Sequence, residues 1–269
     1  MSTTGESTHD YRIARPTLPV LLGDMRIPRS DPGPGDRVPS FDLPTTRGGR
    51  FSSDSIAEDG RPVLLVFGSL TCPITESAGP GLRRLHTRFG KFARFVLVTV
   101  REAHPGSLVG QPHTIEEKLR NARALEAHHG FVFETAVDDI DGSLHRAFGT
   151  RPSSAYLIDR TGHILFRAHW SNATDALAEA LTAAVDHRAP PRPTAGRTLS
   201  SMMRMTGYAD DAFASAGRGA LRDTWRAAPP FAVMIVTSRL FRFLPRGRRG
   251  IPTVLTLTVA AVVIGIALA

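Results

Sequence analysis

The chain contains, at residues 63–73, the sequence VLLVFGSLTCP. Its first five residues are apolar and mostly branched, as in a buried β-strand. A turn of small and polar residues follows, and Pro73 comes directly after Cys72, the single cysteine of the 269 residues. Proline is favoured at the first position of a helix, because the N–H group that it lacks would be unpaired there. The stretch therefore predicts a strand, a tight turn and a helix that begins at Pro73.

Cys72 is the candidate nucleophile of the chain. At the N-terminus of a helix, the dipole and the unpaired N–H groups favour a thiolate, and the neighbours Ser69, Thr71 and Thr75 are polar. The alternative is that Cys72 is a small buried hydrophobic residue, as most free cysteines are. A Cys-x-x-Cys pair is excluded, because Thr75 stands where the second thiol would be. A disulfide partner must come from another molecule, and a lone reduced thiol fits a cytosolic setting.

Strand and helix patterns alternate between residue 36 and about residue 188. The predicted strands are residues 62–67, 93–100, 131–137, 154–159 and 163–168. The predicted helices are one that begins after the N-cap Thr114, a short one at 141–148 and an alanine-rich one at 172–186. This order predicts an α/β domain over residues 36–188, with a mixed sheet flanked by helices.

The segments on either side of this domain differ from it in composition. Residues 1–35 are polar and rich in proline and glycine, which predicts a disordered, mobile tail without a signal peptide. Residues 189–250 are arginine-rich and predict a linker with an amphipathic helix near 207–227. The role of this region in the function is open.

The C-terminal segment, residues 251–269, carries no charged side chain. A helix of this length would be about 28 Å long, close to the thickness of a bilayer core. We therefore expect a transmembrane helix, with a buried core helix as the alternative. The arginines directly before it predict a single-pass anchor with the domain in the cytoplasm, and they would attract anionic lipid headgroups.

The net charge of the chain is +8, which raises the question of a nucleic-acid partner. No aromatic platform and no recognised nucleic-acid motif accompanies the arginines. We therefore expect a lipid bilayer, and no nucleic acid, as the partner of the basic region.

The order of these features resembles the redoxin branch of the thioredoxin fold over residues 36–187. The segments that carry the resemblance are VPSFDL at 38–43, Gly49, residues 62–72 and residues 152–162. The resemblance implies that the active thiol opens the first long helix, and that Pro152 is a cis-proline that shapes the substrate groove. From the residues alone, Pro152 marks either a loop or a cis bond.

Three motifs in this frame resemble the iodothyronine deiodinases. They are FGSLTCP at 67–73, where that family has selenocysteine at the position of Cys72, Glu-Ala-His at 102–104, and PHTIEE at 112–117. The resemblance implies that Glu102, His104 and His113 handle protons and bind substrate around the thiol. A neutral histidine can take up a thiol proton. The alternative interpretation is that His104 and His113 are surface loop residues without a role in the reaction.

The chain departs from the deiodinase pattern in ways that affect its substrate. Cysteine replaces selenocysteine, Ile74 and Thr75 stand where the family has a second proline and an aromatic residue, and the family's arginine after the cis-proline falls at Ser154. A thyroid hormone is therefore not the expected substrate. A comparison with peroxiredoxins places Ser69 at the position of their active-site threonine and Arg151 at that of their thiolate-binding arginine.

These observations predict a membrane-anchored, thiol-dependent oxidoreductase that reduces a peroxide or a disulfide. We assign roles to the nucleophile Cys72, the polarising Thr71 and Ser69, the proton-handling Glu102 and His104, and the substrate-binding His113, Pro152 and Arg151. The expected reductant is an external thiol, either thioredoxin or a low-molecular-weight thiol, and we assign neither a metal nor a cofactor. Two alternatives remain open: reductive dehalogenation of an aromatic substrate, and a membrane-tethered binding domain without turnover.

Overall fold

The computed structural model describes residues 11–25, 28, 30–191 and 195–268. Its strands are β1 (Asp42–Pro44), β2 (Arg50–Ser52), β3 (Val63–Gly68), β4 (Arg94–Thr99), β5 (Glu134–Val137), β6 (Ala155–Ile158) and β7 (Ile164–Ala168). Its α-helices are α1 (Leu18–Asp24), α2 (Ser53–Asp59), α3 (Pro73–Phe89), α4 (Ile115–His129), α5 (Ser143–Ala147), α6 (Thr174–Val185), α7 (Ala195–Thr206), α8 (Ala209–Ala216), α9 (Ala220–Ala227), α10 (Pro229–Ser238) and α11 (Gly250–Leu268). All five strands predicted from the sequence are present, as β3 to β7.

The main sheet has five strands in the order β5-β4-β3-β6-β7. β3 is parallel to β4, and β4 is parallel to β5, whereas β6 is antiparallel to both β3 and β7. The predicted mixed sheet is therefore confirmed, and β6 and β7 form a hairpin at its end. The small sheet of β1 and β2 is a separate antiparallel pair.

Hydrophobic layers cover both faces of the main sheet. Successive residues of β3 point to opposite faces, as in any strand. Leu64 belongs to the core that contains Leu82 of α3, whereas Leu65 belongs to the core that contains Phe148. All six residues of β3 are buried, because helices or loops cover the sheet on both sides.

The C-terminal ends of β3 and β4 lie side by side, because Gly68 is paired with Thr99 in parallel register. Helix α3 begins at Pro73, and Cys72 precedes it in an extended conformation. The strand, turn and helix predicted for residues 63–73 are confirmed. Open α/β sheets bind ligands at this edge, so the topology places Cys72 at a favourable position for a site.

Pro152 lies in a turn before β6, and none of the peptide bonds in the described residues is cis. The cis-proline that the thioredoxin resemblance implies is therefore wrong for this chain, and the loop alternative is correct. Pro152 nevertheless lies beside the thiol, because β6 pairs with β3 and brings the loop before it to the same edge.

The N-terminal segment packs on the domain from Tyr11 onward. The Tyr11 side chain is buried, its hydroxyl lies 2.8 Å from Nδ1 of His145, and its carbonyl oxygen accepts a hydrogen bond from Arg101. Helix α1 follows seven residues later. The sequence predicts a mobile tail over 1–35, because this segment is polar and rich in proline and glycine; residues 1–10, 26, 27 and 29 lie outside the described part of the chain.

The region between the domain and the C-terminal helix contains α7 to α10, and both α7 and α8 contact α3. The amphipathic helix predicted near 207–227 is divided into α8 and α9. Gly217 and Gly219 interrupt it with φ values of 87° and 106°, a conformation that glycine adopts without steric penalty. This region therefore covers part of the domain surface next to Cys72.

Candidate functional site

Cys72 is buried, with 1% of its surface exposed. Burial raises the pKa of its thiol to about 11, because a thiolate loses its hydration there. The sulfur makes no capping hydrogen bond to α3, and the nearby polar groups of Ile74 and Thr75 lower the pKa by less than burial raises it. The predicted position at the helix N-terminus is correct, but the expected thiolate is not favoured in this environment.

A cavity of about 250 Å³ borders Cys72. On the domain side it is lined by His104, Pro152 and Trp170 together with Cys72. The indole nitrogen of Trp170 is buried and has no hydrogen-bond partner in the described residues. Cys72, His104 and Pro152 were all predicted as site residues, and the structure brings these three together.

The opposite wall of this cavity comes from outside the sheet domain. Leu21 of α1, Met205 of α7 and Phe231 of α10 line it with other apolar residues of the same segments. We call α1, α7 and α10 the cover. The cover makes the surroundings of the thiol apolar, and this explains why burial dominates the pKa of Cys72.

His104 is a titratable side chain that lines the same cavity as the thiol. It is 5% exposed, and burial lowers its pKa to about 4. Its ring centroid lies 5.0 Å from that of Phe213, and its Nδ1 is buried and has no hydrogen-bond partner among the residues that the structure describes. At neutral pH the imidazole is therefore uncharged and has a lone pair available for a proton.

Glu102 connects the loops that follow β3 and β4. Its Oε2 accepts hydrogen bonds from the N–H group (3.0 Å) and the hydroxyl (2.8 Å) of Thr71, and its Oε1 accepts one from Asn121. The Thr71 hydroxyl in turn accepts a hydrogen bond from the N–H group of His104. Burial raises the pKa of Glu102. Glu102 and Thr71, which were both predicted as site residues, thus position the loops that carry Cys72 and His104.

Ser69 and Thr75 bridge the same loops. The Ser69 hydroxyl accepts a hydrogen bond from the N–H group of Ala103, and the Thr75 hydroxyl accepts one from the N–H group of Ser69. Thr75 Oγ1 also lies 3.3 Å from the hydroxyl of Ser153, in the loop that contains Pro152. The predicted polarising residue Ser69 therefore holds the loop after β4 in place, and Thr75 of α3 contacts both the loop after β3 and the loop before β6.

The structure does not bring the remaining two predicted residues to the thiol. His113 is exposed, and its Nδ1 lies 3.3 Å from a guanidinium nitrogen of Arg12. Arg151 forms an ion pair with Asp31, at 2.8 Å, with both side chains mostly buried. The arginine in the wall of the cavity is Arg101. Arg151, which the peroxiredoxin comparison singles out, precedes β6, whereas Arg101 follows β4, and β3 lies between these two strands.

Sequence reasoning missed several residues of the site. Asp24 lies in the cavity wall, and burial raises the pKa of its carboxyl to about 6. Trp170, Met205 and Phe231 lie far from Cys72 in the sequence and in no motif. The available signal was that these residues are apolar, which does not indicate where they pack.

The comparisons with known proteins agree with the motifs. Residues 49–172 match the family model of the iodothyronine deiodinases. Human thyroxine 5-deiodinase is 26% identical over 121 residues, which are 41% of this chain and 39% of that protein. The chain therefore spans about two fifths of the length of this curated relative.

Solved structures with a similar fold include two bacterial redox proteins. A thiol:disulfide interchange protein, DsbE of Chlorobium tepidum, is 23% identical, with a TM-score of 0.45, over 56% of this chain and 97% of that chain. Peroxidoxin BcpB of Mycobacterium tuberculosis is 18% identical, with a TM-score of 0.44, over 57% of this chain and 97% of that chain. From its sheet topology and the position of its thiol, the central part of the chain has a thioredoxin-like fold, and residues 49–172 resemble the iodothyronine deiodinases.

Proposed function

We propose that this chain is a membrane-anchored thiol oxidoreductase in which Cys72 reduces a small apolar peroxide or disulfide. The observation that supports this most directly is the shared cavity: Cys72 and His104 line one apolar pocket at the edge of the sheet. Apolar walls favour a substrate that is itself apolar, because it loses little hydration on entry.

The reaction with a hydroperoxide requires a proton acceptor for the thiol. In the proposal, neutral His104 takes the proton, and the Cys72 sulfur attacks the terminal oxygen of ROOH. The O–O bond breaks, Cys72 becomes a sulfenic acid, and the alkoxide leaves as ROH with the proton that His104 returns. With a disulfide, the same sulfur attacks one sulfur atom and expels the other as a thiolate.

The chain contains a single cysteine, so the electrons must come from external thiols. One thiol condenses with the sulfenic acid and releases water, which leaves a mixed disulfide on Cys72. A second thiol attacks this disulfide, which restores the Cys72 thiol and forms RSSR. Thioredoxin or a low-molecular-weight thiol fits this role.

The membrane anchor in this proposal is α11. Its length and apolar composition are sufficient for it to cross a membrane, and little of it is buried against the rest of the described chain. A core helix of a soluble protein would be mostly buried. Arg246, Arg248 and Arg249 directly precede it, so the domain would lie on the cytoplasmic side. A variant without residues 250–269 should move from the membrane fraction to the soluble fraction.

Reductive dehalogenation is the second candidate, and the deiodinase family match over 49–172 favours it. Its overall balance is ArX + 2 RSH → ArH + RSSR + HX, with Cys72 as the nucleophile and His104 in proton transfer. It predicts halide release that is lost in Cys72→Ser.

The test of the proposal compares oxidation of Cys72 in the folded and the urea-unfolded full chain. The reduced protein, in detergent micelles at pH 7, is mixed with an aromatic hydroperoxide, and intact-mass spectrometry follows the sulfenic acid. If no neighbouring group assisted Cys72, its thiol would react more slowly in the folded chain than in the unfolded chain. Its pKa is about 11 in the folded chain, so less of it is thiolate there. We expect the opposite, with the folded chain faster by about tenfold or more.

A folded chain that reacts more slowly than the unfolded one would overturn the peroxidase form. Thiol-transfer and halide-release assays on the same sample would then separate disulfide exchange and dehalogenation. A negative result in all three assays would favour a binding domain without turnover.

A further inference from the structure

A second cluster of chemically active side chains lies where the first turn of α3 meets the end of α4. Glu76 Oε2 lies 2.8 Å from Nε2 of His128 and 3.6 Å from Nε2 of His129. One donor atom from each of the three side chains can be chosen so that all lie within 4.8 Å of one another. The cluster is separate from the cavity at Cys72, although Glu76 is only one helical turn from Cys72.

The separations between these atoms fit a tetrahedral metal ion. Zinc binds imidazole nitrogen and carboxylate oxygen at about 2.1 Å, which places two tetrahedral donors about 3.4 Å apart. The two measured separations, 2.8 Å and 3.6 Å, lie on either side of this value. Small side-chain movements, mainly of the more exposed His128, would bring the three donors to coordination distance.

His129 provides an independent indication of a ligand. Its side chain is 6% exposed, and its Nε2 is buried with no hydrogen-bond partner in the described residues. A buried polar atom without a partner destabilises the folded state, so such an atom calls for an explanation. Nε2 faces the Glu76 carboxylate at a distance that is too long for a good hydrogen bond but short enough for a shared ion.

Gly79 supports the same conclusion from the packing of α3. Glycine inside a helix destabilises the helix relative to alanine, so its presence needs a reason. A Cβ atom at Gly79 would overlap Nδ1 of His129. Glycine at this position therefore lets the imidazole lie directly against α3, next to Glu76.

We propose that Glu76, His128 and His129 bind a divalent transition-metal ion, zinc in the first instance. Two imidazoles and one carboxylate are ligands that zinc prefers, and three protein ligands leave the fourth position for water or another small ligand. The ion would fasten the N-terminal turn of α3, which follows Cys72, to the end of α4. No motif in the sequence indicates this site, because Glu76 and His128 are 52 positions apart.

The charges around the cluster come from other elements as well. Asp211 of α8 and Arg246 interact electrostatically with Glu76, and Arg83 interacts electrostatically with His129. These two arginines oppose a cation, whereas Asp211 favours one. The ion would therefore be held mainly by its direct ligands.

The test uses the full chain without a polyhistidine tag, in detergent micelles, after removal of metal with a chelator. Titration with Zn²⁺ by calorimetry should give one equivalent bound, and Co²⁺ should give the visible absorption of a tetrahedral complex. His128→Ala and Glu76→Gln should each weaken Zn²⁺ binding by about tenfold or more, since loss of a second-shell partner alone has an effect of this size. His128 is partly exposed, so His128→Ala should fold normally.

Two controls distinguish this site from others in the chain. His163→Ala removes an exposed histidine of the β6–β7 turn and should leave Zn²⁺ binding unchanged. Cys72→Ser should also bind one equivalent, which separates the cluster from the thiol. The proposal is overturned if the wild-type chain binds no Zn²⁺, if His128→Ala and Glu76→Gln bind like the wild type, or if Cys72→Ser abolishes binding. None of these results depends on whether Cys72 turns over a substrate.

Discussion

The two walls of the Cys72 cavity differ in how the sequence encodes them. The domain wall, with Cys72, His104 and Pro152, consists of residues that follow strands in recognisable motifs. The cover wall, with Leu21 and Phe231, consists of apolar residues in segments without a motif. The first wall supplies the reactive groups, and the second determines the environment in which they react.

This difference explains why the thiolate that the sequence predicts at Cys72 is not favoured in the structure. The local pattern around Cys72 correctly places the thiol at the start of α3, where the helix favours a thiolate. The cover then excludes water from the sulfur and raises its pKa to about 11. A distant part of the chain therefore outweighs the local electrostatics.

The largest expected effect concerns the domain wall. Cys72→Ser should abolish peroxide, disulfide or dehalogenation activity, because a hydroxyl is far less nucleophilic than a thiol and cannot form a sulfenic acid. The measurement is turnover with an external thiol as reductant, and circular dichroism checks that the variant is folded. Residual activity at the wild-type level would assign the reaction to another group.

His104→Gln should lower turnover by roughly 100-fold, the smaller end of the usual range for loss of a general acid–base group. Glutamine keeps similar bulk and polarity beside Phe213 but cannot take up a proton. The measurement is kcat at pH 7 with saturating substrate. An unchanged kcat would mean that water or the substrate carries the proton. Cys72 would then be the one residue of the domain wall with a chemical role in the reaction.

The cover can be tested through the pH dependence of the thiol. Because the pKa of Cys72 is raised to about 11, the thiol is protonated at neutral pH, and the thiolate fraction rises about tenfold per pH unit up to that value. The rate of alkylation by iodoacetamide should therefore increase about tenfold per unit between pH 7 and pH 9. A plateau below pH 9 would contradict the raised pKa.

Opening the cover should lower this pKa. Phe231→Ala removes a half-buried ring from the cavity wall and admits water, which stabilises the thiolate and speeds alkylation at pH 7. Phe243→Ala is the matched control, because Phe243 is an aromatic residue of the same region with 79% of its surface exposed. Equal rates in the two variants would show that α10 does not control access to the sulfur.

Glu102 tests how the domain wall is held together. Glu102→Ala leaves the buried N–H group and hydroxyl of Thr71 without their acceptor, and this should lower the free energy of unfolding by about 1–3 kcal/mol. Thermal unfolding of the full chain in detergent measures the loss. A stability equal to that of the wild type would mean that water replaces the carboxylate, and that Glu102 is not needed to position the loops.

The sequence predicts those parts of the fold that depend on short-range patterns. The alternation of strands and helices, the start of α3 at Pro73, and the convergence of residues 69–72 with 102–104 all follow from local composition and parallel pairing. The docking of Tyr11 and the meeting of Glu76 with His128 depend on long-range packing, for which one sequence offers no periodic signal. The division into a tail, a redoxin domain at 36–188, a linker and an anchor stays a prediction.

The smallest expected effect concerns His113, which the resemblance groups with His104 as a site residue. In the structure His113 is exposed at the start of α4, its N–H group donates to the Glu117 carboxylate, and its ring lies near Arg12. His113→Gln should therefore change kcat and KM by less than about twofold, the range for a surface substitution of about 0.5 kcal/mol or less. A loss comparable to that of His104→Gln would mean that the loop before α4 moves to the cavity during turnover, so that the motif is a better guide to the site than the resting position of the residue.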